Sequence, residues 1–318
     1  MRRRTVPFVA TLIAALALSG CGQRQTKLHT SALTPLRVDV IRPNAGEASI
    51  YAAQKTGSFR LAGLNVKLHQ VVDSATGIED VAHGAADLAV ASPPDLLEAR
   101  DHGNRVQSVA ALVQQPLASL IALSAGTPVT VGTRGLDYQA AYAHTALKGA
   151  HVKIVDVSSD PVKALTSKKV AALVGAYSNA EGVQLQAQGK KPRVTAVDRL
   201  GVPRFDELVL VANQDRVTRE IDTLRGFIGA LARSTHELRL GKPGPVSGWT
   251  GAAGVPKAQA LAALKLTLPL TFPAVGRPFG FQQPAKWSGF ANWMRSERLL
   301  KGTSAGAFTN RALSGEGL

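Results

Sequence analysis

The sequence predicts an α/β protein of two lobes, each a mainly parallel sheet flanked by helices. Three observations lead there. From residue 36 onward, short apolar stretches of strand length alternate with helical segments, the pattern of βαβ units. The alternation starts afresh near residue 129, so two such units lie in series. Two apolar segments, 119–124 and 207–212, stand where the chain would cross between them.

In chain order, residues 36–41 read as the first strand and 47–55 as a helix that ends before Gly57. A strand at 65–72 precedes a helix at 76–83 stopped by Gly84. A strand at 87–91 leads into a helix at 94–102, where Pro93 or Pro94 suits the first turn because no amide hydrogen is needed there. Residues 106–113 form the next strand. The second unit has strands at 129–131, 152–157, 170–174 and 193–197, with helices at 137–147, 161–167 and 179–188. After the strand at 207–212 come helices at 216–240, 256–266 and 285–300. Trp287, Phe290, Trp293 and Met294 fall at helical spacing in the last of these and read as core. The expected lobes are 36–123 plus 213–302 and 124–212, with a flexible Gly- and Ser-rich tail at 303–318.

Residues 1–20 have the composition of a secretory signal peptide: Arg2, Arg3 and Arg4, then an apolar run over 6–18, then Leu18-Ser19-Gly20 before Cys21. That run is 13 residues long, short of the ~20 that a spanning helix needs. Cys21 after Ser-Gly resembles the lipobox of bacterial lipoproteins, in which the thiol receives a diacylglyceryl group. Residues 21–35 then read as a lipidated tether. Cys21 is the one cysteine, so no disulfide framework is available and stability rests on apolar burial, for which 45% hydrophobic residues suffice. The formal charge of +15 comes from scattered Lys and Arg, without the basic stripe that nucleic-acid binding asks for. A basic surface on an anionic membrane face accounts for it.

Several stretches carry a family resemblance: Pro43-Asn44, then 51–59, 83–91, 95–100 and 110–115, then Gly175-Ala176-Tyr177-Ser178-Asn179-Ala180-Glu181-Gly182, then 200–210. On these the chain resembles the substrate-binding proteins of ABC importers, in the branch that binds thiamine pyrimidine precursors such as formylaminopyrimidine. The resemblance implies a type II periplasmic-binding-protein fold and a ligand held between the lobes. Its implied partners are a small-molecule ligand, an ABC permease and its ATPase, with no cofactor. It further implies a monomer held by lipid on the outer face of the cell membrane. Two positions depart from the family pattern, which has an aromatic beside the Pro-Asn pair and a His soon after. Here Arg42 stands before the pair and Ala45-Gly46-Glu47 follow it.

Ligands of open parallel sheets bind beyond the carboxyl ends of the strands. The loops there carry Asn44, Ser92, Gln115, Arg134 and the pair Tyr177 and Asn179. A flat aminopyrimidine needs an aromatic face and hydrogen bonds along its edge. Tyr177 and Tyr138 are the candidate stacking residues. Glu181 is a candidate acceptor, Asn179, Asn44 and Gln115 offer paired donors and acceptors, and Glu47 brings a further carboxylate. Arg134 would instead favour an anion, so a sulfonate- or nitrate-type binder is the alternative, and a surface ligand sensor the third. No His-Glu-x-x-His, no phosphate-cradling Gly-rich loop and no Gly-x-Ser-x-Gly in a strand-to-helix setting is present. The chain also lacks the Cys-rich motif of the related yeast pyrimidine-synthesising enzyme, so a binding protein rather than an enzyme is expected.

Overall fold

The structure, a computed structural model, describes residues 32–41 and 43–313. Residues 1–20, expected to be a signal peptide, Cys21 and most of the expected tether therefore lie outside the described residues, as does Arg42. The first half runs β1 Thr34–Val40, a 3-10 turn Ala45–Glu47, α1 Ala48–Thr56, α2 Ser58–Leu61, β2 Leu64–Gln70, α3 Ser74–His83, β3 Leu88–Ala91, α4 Pro93–Asp101 and β4 Val106–Val113. There follow β5 Ala118–Ala122, β6 Thr130–Thr133, α5 Asp137–Ala146, β7 Lys153–Asp156, α6 Pro161–Thr166, β8 Ala172–Tyr177, a π-type turn Ser178–Gly182, α7 Val183–Ala187 and β9 Arg193–Ala196. The chain ends with β10 Leu208–Asn213, α8 Gln214–Arg219, α9 Ile221–Arg239, α10 Pro243–Ala252, α11 Lys257–Thr267 and α12 Pro284–Ser296.

The strands form two five-stranded sheets of matching design, ordered β2-β1-β3-β10-β4 and β7-β6-β8-β5-β9. Each is mixed. β1 pairs in parallel with β2 and β3, while β10 runs antiparallel to both β3 and β4. In the second sheet β6 is parallel to β7 and β8, and β5 is antiparallel to β8 and β9. The opposed strand in each sheet is the one that arrives from the other sheet, so it enters from the opposite end. This places the expected boundaries at 123/124 and 212/213 one strand late: β5 belongs to the second sheet and β10 to the first.

Local chemistry explains most element ends. Asp73 caps α3 by accepting the Thr76 amide at 2.8 Å, and Gly84 ends it at φ +79°. β3 is buried throughout, and β4 at every position but one, which is why both read as apolar runs rather than alternations. The helix expected at 216–240 is broken at Glu220, whose backbone leaves the helical region, and α9 then buries Leu224, Phe227, Ile228 and Leu231. α10 was not signalled, because its Pro and Gly residues are poor helix formers. Packing overrides them: Trp249 is buried and donates to Ala260 O at 2.9 Å, and Gly248 lies where a Cβ would stand 2.8 Å from Tyr51 O of α1. Among the described residues no helix is long and apolar enough to cross a membrane.

The described part of the expected tail, residues 303–313, is held by the first sheet. Ser108 of β4 bridges to Phe308, donates its amide to Ala307 O at 2.8 Å and accepts from the Thr309 amide at 2.8 Å. Asn310 exchanges two hydrogen bonds with the backbone of Gln282. Phe308 stacks on Trp287 with centroids 5.5 Å apart, and Ala307 and Ala312 are fully buried. Residues 303–313 thus add a backbone segment to the edge of the first sheet, and small residues there serve close packing rather than mobility. Trp287, Phe290, Trp293 and Met294 are buried as expected. Trp293 also stacks on Tyr142 of α5 and donates to Thr145 Oγ1 at 3.1 Å. Phe308→Ala should cost about 2 kcal/mol in urea unfolding, since a partly buried aromatic loses its stacking partner. A change within a few tenths of a kcal/mol would show that the segment is not packed.

Candidate functional site

A cavity of about 220 Å³ lies between elements of the two sheets, lined by Ser92, Pro94, Ala118, Tyr138, Gln139, Tyr142, Gly175, Tyr177 and Glu207. Ser92 and Pro94 follow β3 of the first sheet, Tyr138, Gln139 and Tyr142 project from α5, and Gly175 and Tyr177 end β8 of the second. Ala118 and Glu207 stand at the two points where the chain passes between sheets.

Glu207 organises the site. Its Oε2 accepts the amides of Leu117 at 2.6 Å and Ala118 at 2.9 Å, its own amide donates to Val113 O at 2.8 Å, and Tyr177 hydrogen-bonds its carboxyl. One side chain on the returning segment thereby holds the first residues of the outgoing one. Burial pushes its carboxyl up to about 7, against the pull of those amides and the Tyr177 hydroxyl.

Of the residues expected at the site, Tyr177, Tyr138 and Ser92 line the cavity. Tyr138 is buried and meets Tyr142 edge-on at 5.6 Å. Burial holds the hydroxyls of Tyr138 and Tyr177 well above the ordinary tyrosine range, so both are neutral donors. Ser92 caps α4, and its hydroxyl donates to Asp95 Oδ2 at 2.6 Å. Glu181 stands behind Tyr177: Oε2 accepts the Tyr177 amide at 2.8 Å and Oε1 pairs with Arg134. Arg134 and Glu181 therefore engage each other first.

Asn179 and Asn44 form a second contact across the sheets. Asn179 Nδ2 donates to Asn44 Oδ1 at 3.2 Å and to Thr267 Oγ1 of α11 at 2.8 Å, while its own Oδ1, buried, has no partner. Asn44, Asn179, Glu181 and Arg134 thus stand outside the cavity lining, and two further expected residues do as well. Gln115 is exposed and does not line the cavity; its neighbour Gln114 is the buried one, bonded to Phe281 O at 3.0 Å, because the chain turns out of β4 there. Glu47 lies wholly buried under the Asn44 turn, where Oε1 accepts the Ile41 amide at 2.9 Å and Oε2 has no partner. Glu47 shapes the loop instead of meeting a ligand. Glu207, Gln139, Tyr142, Ala118 and Gly175 were not foreseen at the site. Gln139 accepts the Arg134 amide at 2.7 Å, and a Cβ at Gly175, φ +76°, would stand 2.8 Å from the Gln139 side chain. A chemical signal existed for Glu207 alone: an acidic residue directly before an apolar strand.

With that geometry in place, the relatives can be set beside it. The sequence profile of the family described as NMT1/THI5 like matches residues 44–240. The chain is 27% identical to the formylaminopyrimidine-binding protein of Halalkalibacterium halodurans over 94% of this chain and 96% of that protein. Among solved structures it resembles the aliphatic sulphonate-binding protein of Escherichia coli, with TM-score 0.66 and 14% identity over 85% of this chain and 89% of the other. It also resembles the alkanesulfonate-binding protein of Xanthomonas axonopodis pv. citri bound to MOPS, with TM-score 0.64 and 16% identity over 87% and 98% of the two chains. These structural likenesses establish the two-lobed periplasmic-binding-protein fold.

Three variants test the carboxyl assignments. Glu207→Ala leaves two buried amides without an acceptor and should cost about 2–5 kcal/mol in denaturant unfolding, whereas Glu207→Gln keeps an acceptor and should cost far less. Equal losses in both would refute the amide clasp. Burial raises the Glu47 carboxyl to about 8, above its ordinary 4.5. The stability it contributes is full below pH 4.5 and is lost as pH rises toward 8. Glu47→Gln should therefore gain on the wild type between pH 5 and pH 8.5 in urea unfolding; a pH-independent difference between the two proteins would contradict the assignment.

Proposed function

We propose, from the premise that this chain belongs to the NMT1/THI5-like family, that it is the substrate-binding component of an ABC importer and takes a thiamine pyrimidine precursor between its lobes. The observation that carries this reading is the cavity itself, in which two neutral tyrosines of one lobe face the Glu207 carboxyl at the crossing point. A flat heteroaromatic base finds a ring face in Tyr177 or Tyr138 and, in Glu207 and Ser92, acceptors for its amino and ring N–H groups. The relative named for binding formylaminopyrimidine supports the same ligand class.

The anion reading is less well supported by the charges. Arg134 is already neutralised by Glu181, so a sulfonate would have to displace a carboxylate. It would also meet the carboxyl of Glu207. In this reading the lobes part to admit the ligand and then close on it from both sides. The crossing segments next to Glu207 are the hinge, and the contacts of Asn179 with Asn44 and Thr267 are broken and remade in each cycle. In this account residues 1–20 direct export, Cys21 anchors the protein to the outer face of the cell membrane by lipid, and the loaded protein delivers to a permease driven by a partner ATPase.

Thermal unfolding with formylaminopyrimidine and with MOPS tests this. A ligand at 100-fold its dissociation constant adds about 2.7 kcal/mol, which for a protein of this size raises the midpoint by roughly 4 °C. Formylaminopyrimidine should give that rise, and Tyr177→Ala should abolish it, read as the ligand-bound minus ligand-free midpoint of the variant itself, whose ligand-free midpoint falls because Tyr177 packs against both cores. A rise with MOPS alone would overturn the ligand class in favour of an anion.

A further inference from the structure

Away from the residues lining the cavity, Asp39, His69 and Asp80 bring ligand-capable atoms within 4.8 Å of one another. β1 and β2 run in parallel with Asp39 directly opposite His69, and His69 Nδ1 lies 3.2 Å from Asp39 Oδ1. Asp80 comes from α3, one turn after Gly77. The bare Gly77 lets that helix approach the sheet, since a Cβ there would already stand 3.2 Å from Ala89 Cβ and 3.6 Å from Asp39 Cβ. The side chain of Asp39 is 3% exposed, and its Oδ2 has no hydrogen-bond donor. Arg37, two residues earlier on β1, gives its guanidinium to Asp87 at 2.8 Å. A buried carboxyl set against a second carboxyl is unfavourable unless a proton or a cation lies between them.

The geometry points to a divalent-cation site of the zinc type built from Asp39, His69 and Asp80. Two ligands on one tetrahedral zinc, each at about 2.0–2.1 Å, stand about 3.3 Å apart. The His69–Asp39 pair already has that spacing. An imidazole nitrogen with two carboxylate oxygens suits zinc better than magnesium or calcium, which prefer all-oxygen shells. His69 is 71% exposed, so the ion has a path from solvent and water can complete its coordination. A bound ion would give Asp39 Oδ2 its missing partner. It would also fasten the edge strand β2 to β1 and α3 in the first sheet.

The test is calorimetric titration of ZnCl2 into the full chain after chelation and dialysis at pH 7, with thermal unfolding alongside. The expected result is saturable binding of one equivalent and a raised midpoint, with no rise from the same concentration of MgCl2. His69→Ala and Asp80→Asn should each weaken zinc at least tenfold while their metal-free midpoints stay near that of the wild type. Both positions carry exposed or half-exposed side chains, so the variants are expected to fold. Absence of one-equivalent binding, or an affinity unchanged in both variants, would overturn the site and leave a proton shared by the two carboxyls as what holds them together.

Discussion

The two-lobed arrangement depends on the Glu207 carboxyl. A chain that crosses twice between two sheets needs its crossing segments held side by side, or the sheets would be independent bodies. Glu207 does this by giving one buried oxygen to the amides of Leu117 and Ala118. Both donors would otherwise open a strand inside the protein with no partner, at a cost of ~1–3 kcal/mol each. The Tyr177 hydroxyl on the same carboxyl links this clasp to the end of β8, so clasp and cavity share a residue.

Around that point buried acidic groups recur. Glu207, Glu47 and Asp206 are all raised by burial, and Asp206 is met by Lys286 at 2.7 Å. Lys286 comes from α12, the same helix that sends Trp293 to Tyr142 of α5. α11 plays a similar part by offering Thr267 to Asn179. Helices that follow β10 in the chain thus reach both lobes. Among the described residues the cavity is lined by hydroxyls, an amide side chain and a carboxyl, and the Arg134 guanidinium is paired with Glu181.

The sequence carried the strands well because their physics is local. β4 is an eight-residue apolar run, and the ends of α1 and α3 are marked by Gly57 and Gly84 in left-handed geometry. Tyr177 and Tyr138 stood out in the sequence as stacking candidates, and both line the cavity, where Tyr138 also packs edge-on against Tyr142. What escaped is long-range. α10 forms from poor helix formers because Gly248 lets it pack against α1, and the docking of 303–313 depends on Ser108 nearly 200 residues away. The choice between Gln114 and Gln115 turned on one residue of register at the end of β4. Glu47 looked like a cleft carboxylate from its neighbours, yet its use is to hold the Ile41 amide.

The amides of Leu117 and Ala118 test the central claim most directly, by hydrogen exchange read at single residues in the native protein at neutral pH. If Glu207 clasps the crossing segments, these two amides exchange as slowly as those in the middle of β4 and β10, through global unfolding alone. If they exchange on the timescale of exposed loop amides, the crossing segments open independently of the sheets, and the hinge is not held by this carboxyl.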